Sequence, residues 1–212
     1  MNHISRENRR ALLSGANPGF YTTWVQLFVP SIVAISIIIY HVFQIEITKY
    51  CILLSVALWI VFNLMEWFIH KYLFHRKTAF FEFFYTSHTK QHHVIFISED
   101  MTIRNIDEIK MVMVAFRALV LLGLFLTSVY YIVKSIGYIN QSHIFISTAL
   151  FYIFQYEWLH LCYHLPYIKD LPIIKRLARL HTVHHNTRYM KDWNFNVSLP
   201  LWDLILGTYR RN

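Results

Sequence analysis

The chain has 212 residues, of which 56% are hydrophobic and only 15% charged, and its mean hydropathy is +0.35. In a typical soluble domain about a quarter of the residues are charged, so this composition excludes an ordinary soluble protein and indicates a membrane protein. The formal net charge is +8 with histidine neutral. Because the apolar runs are too long for a soluble core, we relate the positive charge to a membrane and predict no nucleic-acid partner.

Four apolar stretches are long enough to cross a bilayer, which takes about 20 helical residues. We expect these spans near residues 24–45, 50–73, 111–133 and 144–165. They predict an all-α fold, an integral membrane bundle of four transmembrane helices. The chain then divides into a cytosolic N-terminal segment, residues 1–23, and one membrane domain, residues 24–212, whose histidine-rich regions at 70–110 and 160–212 lie outside the bilayer.

Lysine and arginine are distributed unevenly over the segments that connect the spans. The two short loops on one side hold only Lys49 and Lys134, and the other 18 of the 20 basic residues lie on the opposite side or just inside it. Because positively charged segments stay in the cytoplasm, we predict that both termini and the histidine-rich regions are cytosolic. Residues 171–185 have apolar and basic residues at helical spacing, which predicts an amphipathic helix along the membrane surface.

Ten of the thirteen histidines fall in four short windows that together make up about a tenth of the chain. The windows are His70-KYLF-His75, His88-TKQ-His92-His93, His160-LCY-His164 and His181-TV-His184-His185. Each lies at the cytosolic end of a predicted span or in a cytosolic region, so all four meet at one membrane face. We interpret the other three, His3, His41 and His143, as structural or surface residues.

Imidazole binds iron, zinc, copper and nickel, and an i, i+4 pair lets two side chains converge on one ion. Ten imidazoles are too many for one ion, but two roughly octahedral ions with about five nitrogens each leave positions open for oxygen. We therefore predict a cytosolic, histidine-rich cap in which all ten histidines bind two metal ions. Glu66 and Glu157 precede His70 and His160 by about one turn, and each carboxylate is expected to accept the second ring N–H of that histidine.

Other classes of metalloprotein fit the pattern less well. A zinc-dependent membrane hydrolase needs three protein ligands and a carboxylate base, which is far fewer than ten histidines. A metal transporter would place its ligands near the middle of the spans, along a path, whereas these cap the spans on one side. A two-haem cytochrome needs only four axial histidines.

From Asn63 to the C-terminus the sequence resembles the fatty acid hydroxylase superfamily of integral membrane di-iron enzymes, which includes fatty acid 2-hydroxylases, sterol desaturases and, more distantly, carotenoid hydroxylases. The resemblance rests on the four histidine windows in order and on a closing motif, Asn194-Phe195-Asn196-Val197-Ser198 followed by Trp202-Asp203 and Gly207-Thr208-Tyr209. The four residues between His70 and His75 look more like the fatty acid 2-hydroxylases. Three residues between His88 and His92, where two are commoner, depart from the family pattern.

The resemblance implies two iron ions, with zinc as a substitute in purified protein, and dioxygen as co-substrate. The implied reaction is hydroxylation of a C–H bond in a lipid drawn from the bilayer, with a fatty acyl chain favoured and a sterol or carotenoid hydroxylase or desaturase as the alternative. Asn194 and Asp203 would support the site without binding metal. Only 23 residues precede the first predicted span, so we expect electrons from a separate protein, a b-type cytochrome, a ferredoxin or a reductase.

Overall fold

A computed structural model of the protein describes residues 5–12 and 23–211. The described residues form helices joined by loops, and their only β-type contact is an isolated bridge between Ile97 and Asp100. The helices are α1 (Arg6–Leu12), α2 (Thr23–Val42), α3 (Lys49–Ile69), α4 (Glu82–Tyr85), α5 (His93–Ile95), α6 (Ile109–Val112), α7 (Phe116–Ser135), α8 (Ile139–His164), α9 (Pro172–His184) and α10 (Leu201–Ile205). Two π-helical turns, His70–Phe74 and Thr86–His92, extend α3 and connect α4 to α5. The predicted all-α class is confirmed.

Three of the described helices are long and apolar enough to cross a membrane: α2, α7, and α3 together with its π-helical extension to Phe74. Their outer faces present large apolar side chains, among them Ile32, Leu53 and Leu124, which are 59%, 66% and 62% exposed. Apolar exposure on this scale is expected only where lipid covers the surface. The protein is therefore a membrane protein, and three of the predicted spans coincide with these helices.

The third of these spans begins later than predicted. We expected it near residue 111, but α6 ends at Val112, Met113 is extended, and α7 begins only at Phe116. The break is held by the bundle, because the carbonyl of Val114 accepts a hydrogen bond from Gln26 at 3.2 Å and its N–H binds Glu157. Sequence hydropathy does not register this break, since Met111 to Val114 are all apolar.

The fourth predicted span corresponds to α8, which has 26 residues and packs against α2, α3 and α7. Residues are buried along its whole length, from Ser142 to His164. A helix shielded by protein on three sides can carry polar residues that a lipid-facing helix cannot. This explains why α8 is less apolar than the other three, and its crossing of the membrane stays a prediction.

The remaining helices form a cap at the end of the bundle where α3 and α8 terminate. Helix α9 begins with Pro172 at its first turn, where a missing N–H is tolerated, and confirms the amphipathic helix predicted from the sequence. At the opposite end, His41 and His143 are buried with their Nδ1 atoms 2.7 Å apart. These two are structural, as expected, and are bonded to each other. His3 lies outside the described residues.

The N-terminal helix α1 packs on the cap through two buried arginines. Arg6 binds Asp100 at 2.8 Å and Glu108 at 3.2 Å, and Arg9 binds Asp100 at 3.0 Å. Arg6 also donates to the carbonyl of Thr102 at 2.7 Å. From the sequence, these arginines contribute only to the predicted membrane orientation. In the structure they join the N-terminal segment to the loop that runs from α5 to α6.

Candidate metal centre

The ten histidines of the four windows come together in the cap, and every one of them is buried. They form two groups of five, and within each group one ring nitrogen from each histidine lies within 4.8 Å of all the others. The first cluster consists of His70, His75, His88, His93 and His184, and the second of His92, His160, His164, His181 and His185. Each cluster could hold one metal ion, which agrees with the expected five nitrogens per ion.

Two histidine dipeptides join the clusters. Consecutive residues of a helix project about 100° apart. In His92-His93 and in His184-His185, one residue therefore enters each cluster. The rings of His93 and His185 stack across the boundary, with centroids 4.1 Å apart. The two clusters consequently lie side by side.

The first cluster depends on the two π-helical turns. A π-helix bonds residue i to residue i+5, which brings side chains five residues apart onto the same face of the helix. In an α-helix the same two side chains point about 140° apart. The turn His70–Phe74 places the rings of His70 and His75 5.1 Å apart. The turn Thr86–His92 places those of His88 and His93 4.7 Å apart. The long spacings in these two windows are thus matched by a local widening of the helix.

The second cluster is built on regular helices. His160 and His164 are i and i+4 on α8, and His181 and His185 are i and i+4 on α9 and its C-cap. The Nε2 atom of His181 lies 3.1 Å from those of His160 and His164 and 3.0 Å from that of His185. Each i, i+4 pair thus projects from one helix face. His184, three residues after His181, was expected on the same face but enters the first cluster instead.

Hydrogen bonds fix the tautomers of six of the ten histidines. Five of them donate Nδ1–H to a carbonyl oxygen: His70 to Phe195 (2.5 Å), His92 to Met111 (2.9 Å), His164 to Met101 (2.7 Å), His184 to Trp193 (2.8 Å) and His185 to Phe96 (2.5 Å). A sixth, His75, donates to the hydroxyl oxygen of Thr89 at 3.1 Å, because that hydroxyl donates to the carbonyl of Phe74. A carbonyl only accepts, so Nδ1 carries the proton and Nε2 keeps a lone pair.

With these tautomers, unprotonated Nε2 atoms point into both clusters, and such an arrangement favours binding of a cation. The Nε2 atoms of His92 and His185 lie 3.0 Å apart, as do those of His75 and His184. Neither member of such a pair has a proton to donate, so their lone pairs face each other. Burial lowers the pKa of His184 to about 4, and burial together with neighbouring histidines lowers the pKa of His92 and His185. The rings are therefore neutral at pH 7, and a metal ion is the cation that satisfies them.

The spacing of the nitrogens also distinguishes between coordination geometries. With a metal–imidazole bond of about 2.1 Å, adjacent corners of an octahedron are about 3.0 Å apart, and corners of a tetrahedron about 3.4 Å apart. The neighbouring Nε2 atoms that approach most closely in the two clusters are 2.9 Å to 3.2 Å apart, and each cluster offers five nitrogens where a tetrahedral site takes four. The donor set thus fits an octahedral ion with some positions open better than a tetrahedral zinc site.

Glu66 does not have the expected contact with a histidine. The second ring N–H of His70 goes to the carbonyl of Phe195, and the Glu66 carboxylate instead accepts the backbone N–H groups of Val197 and Ser198 and the Ser198 hydroxyl. The prediction that Glu66 holds the tautomer of His70 directly is wrong. Its carboxylate anchors the C-terminal loop that supplies the carbonyl.

The corresponding prediction for Glu157 is wrong as well. The two carboxylate oxygens of Glu157 accept the N–H of Val114, at 3.3 Å and 3.1 Å, and make no hydrogen bond to His160. Val114 lies in the break between α6 and α7, whose extended backbone leaves an N–H without a helical partner. Glu157 therefore fixes this break, which sequence spacing alone could not reveal.

Asp203 and Asn194 hold the same C-terminal loop from its other side. Asp203 is fully buried and accepts the N–H groups of Phe195 at 2.9 Å and Asn196 at 2.8 Å and the hydroxyl of Thr208 at 2.7 Å. Asn194 has a φ of +57° and donates to the carbonyls of Leu180 and Arg210. Neither belongs to a histidine cluster, so both are placed to act through the backbone of the loop.

A cavity of about 80 Å³ reaches both clusters. Its wall includes His88 of the first cluster and His160 of the second, and most of the remaining lining is apolar, with Phe74, Phe84 and Tyr156 among the larger side chains. An apolar cavity with a few polar groups is the common form of a small-molecule site. A hydrocarbon chain in this cavity would lie against both clusters.

Several functional groups were not found from the sequence. The carbonyls of Phe96, Met101, Met111, Trp193 and Phe195 orient five histidines, and any residue type could supply a carbonyl. Thr89 is the exception, because a hydroxyl one residue after His88 could have been considered as a partner for a neighbouring ring. Among the residues that supply carbonyls, only Phe195 has any signal in the sequence, since it lies in the closing motif.

The model of the family described as fatty acid hydroxylase matches residues 55–208 of the chain. No curated protein and no solved structure matches it significantly. The family match covers well over half of the chain and includes all ten clustered histidines and Asp203. The chain therefore belongs to the fatty acid hydroxylase family, as its histidine windows and closing motif indicate.

Proposed function

We propose that the protein is a di-iron lipid hydroxylase that inserts one oxygen atom of O2 into a C–H bond of a fatty acyl chain. Membership of the family implies an oxidoreductase, and the cofactor, co-substrate and substrate are the parts that we propose. Iron, when bound, supplies the activation of dioxygen, and the second oxygen atom leaves as water after two electrons and two protons are taken up.

The observation that carries this proposal is the pair of five-histidine clusters with fixed tautomers. All ten histidines would bind metal, five to each ion, and the carbonyls behind five of them and the Thr89 hydroxyl behind a sixth keep those Nε2 lone pairs pointing inward. A six-coordinate ion with five histidine ligands then keeps one position open for oxygen. Zinc in purified protein would mark displacement of iron, since zinc usually binds such ligands more tightly than ferrous iron.

The rest of the chain has the tasks of binding and orientation. The cavity brings an acyl chain against His88 and His160 and keeps bulk water from the clusters through its apolar walls. Asp203 and Glu66 fix the loop that carries the carbonyl of Phe195. Asn194 fixes the turn before it.

We also propose the surroundings of the enzyme. With α8 as the fourth span, both termini and the cap lie in the cytosol, on the side rich in lysine and arginine. The lipid enters from the bilayer, and electrons come from a separate cytosolic-side donor such as a b-type cytochrome, a ferredoxin or a reductase. A cysteine introduced at Gln141 should be labelled from outside the cell and one at Thr102 should not; the reverse pattern would contradict this orientation.

The function is tested by comparing the lipids of cells that express the wild-type protein with those of cells that express His184→Ala. Mass spectrometry should find acyl chains heavier by one oxygen, +16 Da, only in the wild-type cells. A shift of −2 Da would identify a desaturase instead. Unchanged lipids with both metals bound would contradict hydroxylation of membrane acyl chains.

A further inference from the structure

The cavity beside the two clusters carries a single full charge. Lys110, on α6, is the only lysine or arginine among its lining residues in the described chain, and no carboxylate lines it. Lys110 also makes no ion pair, hydrogen bond or ring contact with the part of the chain that the structure describes. Two other lysines of the cap have partners, since Lys77 binds Glu82 at 2.8 Å and Lys71 lies 4.5 Å from the ring of Trp67. The side chain of Lys175 on α9, like that of Lys110, has no partner among the described residues, but it does not line the cavity.

A second polar group of the cavity is likewise without a partner. The side-chain amide of Gln91, in the π-helical turn before α5, forms no hydrogen bond with the described residues. The nearby hydroxyl of Ser87 is already occupied, because it donates to the carbonyl of Phe83 at 2.9 Å. An ammonium and an amide N–H are both donors that suit a negatively charged oxygen.

The position of Lys110 fits the head group of a lipid. It lies six residues before α7, which is one of the three helices long and apolar enough to cross a membrane. Lysines flanking a span lie at the level of the lipid head groups. From there the cavity continues along apolar side chains to His88 and His160.

We propose that Lys110 and Gln91 bind the anionic head group of the substrate lipid, while the acyl chain lies in the apolar part of the cavity. This inference rests on the proposed function, since it takes the cavity as the substrate site. The expected ligand is a single-chain lipid with one negatively charged head, a fatty acid carboxylate or an alkyl phosphate. A cation without a partner, on a wall that carries no other full charge, favours such a ligand over a lipid with an uncharged head.

The test measures binding of radiolabelled hexadecanoate, hexadecyl phosphate and hexadecanol to the purified protein in lipid nanodiscs. The wild type should bind at least one of the two anions more tightly than the alcohol. Lys110→Met should weaken anion binding by about tenfold or more, without changing the affinity for hexadecanol. Lys110→Arg should keep the affinity for the anion. The matched control is Lys175→Met, which removes an exposed lysine of α9 and should change nothing.

Each arm of the experiment has a defined meaning. A preference for hexadecanoate assigns the subsite to a carboxylate, and a preference for hexadecyl phosphate assigns it to a phosphate. Equal wild-type affinities for acid, phosphate and alcohol would overturn the proposal, and so would a Lys110→Met variant that binds the anion normally or loses acid and alcohol equally. Because binding needs no turnover, a failure of the lipid mass-shift experiment leaves this result interpretable on its own.

Discussion

The two histidine clusters hold the same number of imidazoles on very different backbones. Two pairs of the first cluster are five residues apart and come from π-helical turns, whereas two pairs of the second are four residues apart and come from α8 and α9 with its C-cap. A regular helix presents an i, i+4 pair without outside help. A π-helical turn is rare and needs support from its surroundings.

The support of the first cluster comes from far along the chain. His70 and His184 donate to carbonyls of the C-terminal loop, at Phe195 and Trp193, and that loop is held by Asp203 and Glu66. The second cluster obtains its carbonyls from the segment between α5 and α7, at Phe96, Met101 and Met111. The C-terminal loop therefore supports the first cluster, and the central part of the cap supports the second.

The largest effect is expected from removing a ligand. His184→Ala takes away a neutral Nε2 of the first cluster, and neither activity nor the metal of that cluster should survive, while the second cluster keeps its ion because its five histidines are intact. Elemental analysis of the purified variant should find about one metal ion per chain, and the oxygenated lipid should be absent.

The control for this substitution is His143→Ala, at the other end of the bundle. It breaks contacts with His41 and Tyr130, far from both clusters, so metal content and activity should stay near those of the wild type. Equal damage from His143→Ala and His184→Ala, or full activity of His184→Ala with two metals, would refute the two-cluster arrangement.

A smaller loss of metal affinity, confined to the first cluster, is expected from Asp203→Asn. The new amide has one acceptor oxygen where the carboxylate accepts from Phe195, Asn196 and Thr208, so the loop loses part of its anchorage and the carbonyl behind His70 shifts. Groups that support metal ligands typically change metal affinity by about 10- to 100-fold. Chelator titration should show that loss for one of the two ions only.

Asp192→Asn is the matched control for the same loop, because Asp192 is exposed. It should leave both affinities unchanged. If Asp203→Asn weakened both ions equally, the assignment of the C-terminal loop to the first cluster alone would fail.

Much of this centre follows from the sequence, and the part that does not has a physical reason. The ten ligands, their division into five and five, and the pairs on α8 and α9 follow from residue type and i, i+4 spacing. The sequence does not show which histidine belongs to which cluster, since His92 and His93 are neighbours in the chain and yet belong to different clusters. The partners of the rings do not follow either: the carboxylates Glu66 and Glu157 were expected, but carbonyls take that place, and every residue has a carbonyl.

The fold shows the same limit. Hydropathy identifies the lipid-facing helices α2, α3 and α7, because a helix surrounded by lipid must consist mostly of apolar residues. It places the start of α7 too early, because the break after Val112 is made by tertiary hydrogen bonds from Gln26 and Glu157. It also says nothing of the pairing of Arg6 with Asp100 and Glu108.

Thr89→Val should have a moderate effect that is again confined to the first cluster. Valine keeps the shape but removes the oxygen that accepts Nδ1–H of His75. A buried donor left without a partner costs about 1–3 kcal/mol, which should appear as weaker binding of one metal ion in the same chelator titration. Thr89→Ser retains the hydroxyl and should bind metal like the wild type; if it behaved like Thr89→Val, the hydroxyl would not be the relevant group.

The smallest effect is expected from Glu157→Gln. The amide oxygen can still accept the N–H of Val114, and no histidine loses a partner, so both metal affinities should change by less than about threefold. Glu157→Ala removes the acceptor and should lower thermal stability more than Glu157→Gln does. A tenfold loss of metal binding in Glu157→Gln would show that its charge acts on the second cluster after all.

The central claim is that the chain holds two metal ions, one in each five-histidine cluster. Its most direct test is the ratio of metal to protein in the wild type purified in detergent and loaded anaerobically with ferrous iron, measured by elemental analysis against a quantitative amino-acid assay. One ion in each cluster should give two ions per chain, falling to one in His184→Ala and also to one in His181→Ala, which changes the other cluster. A wild-type ratio of one or none would contradict it.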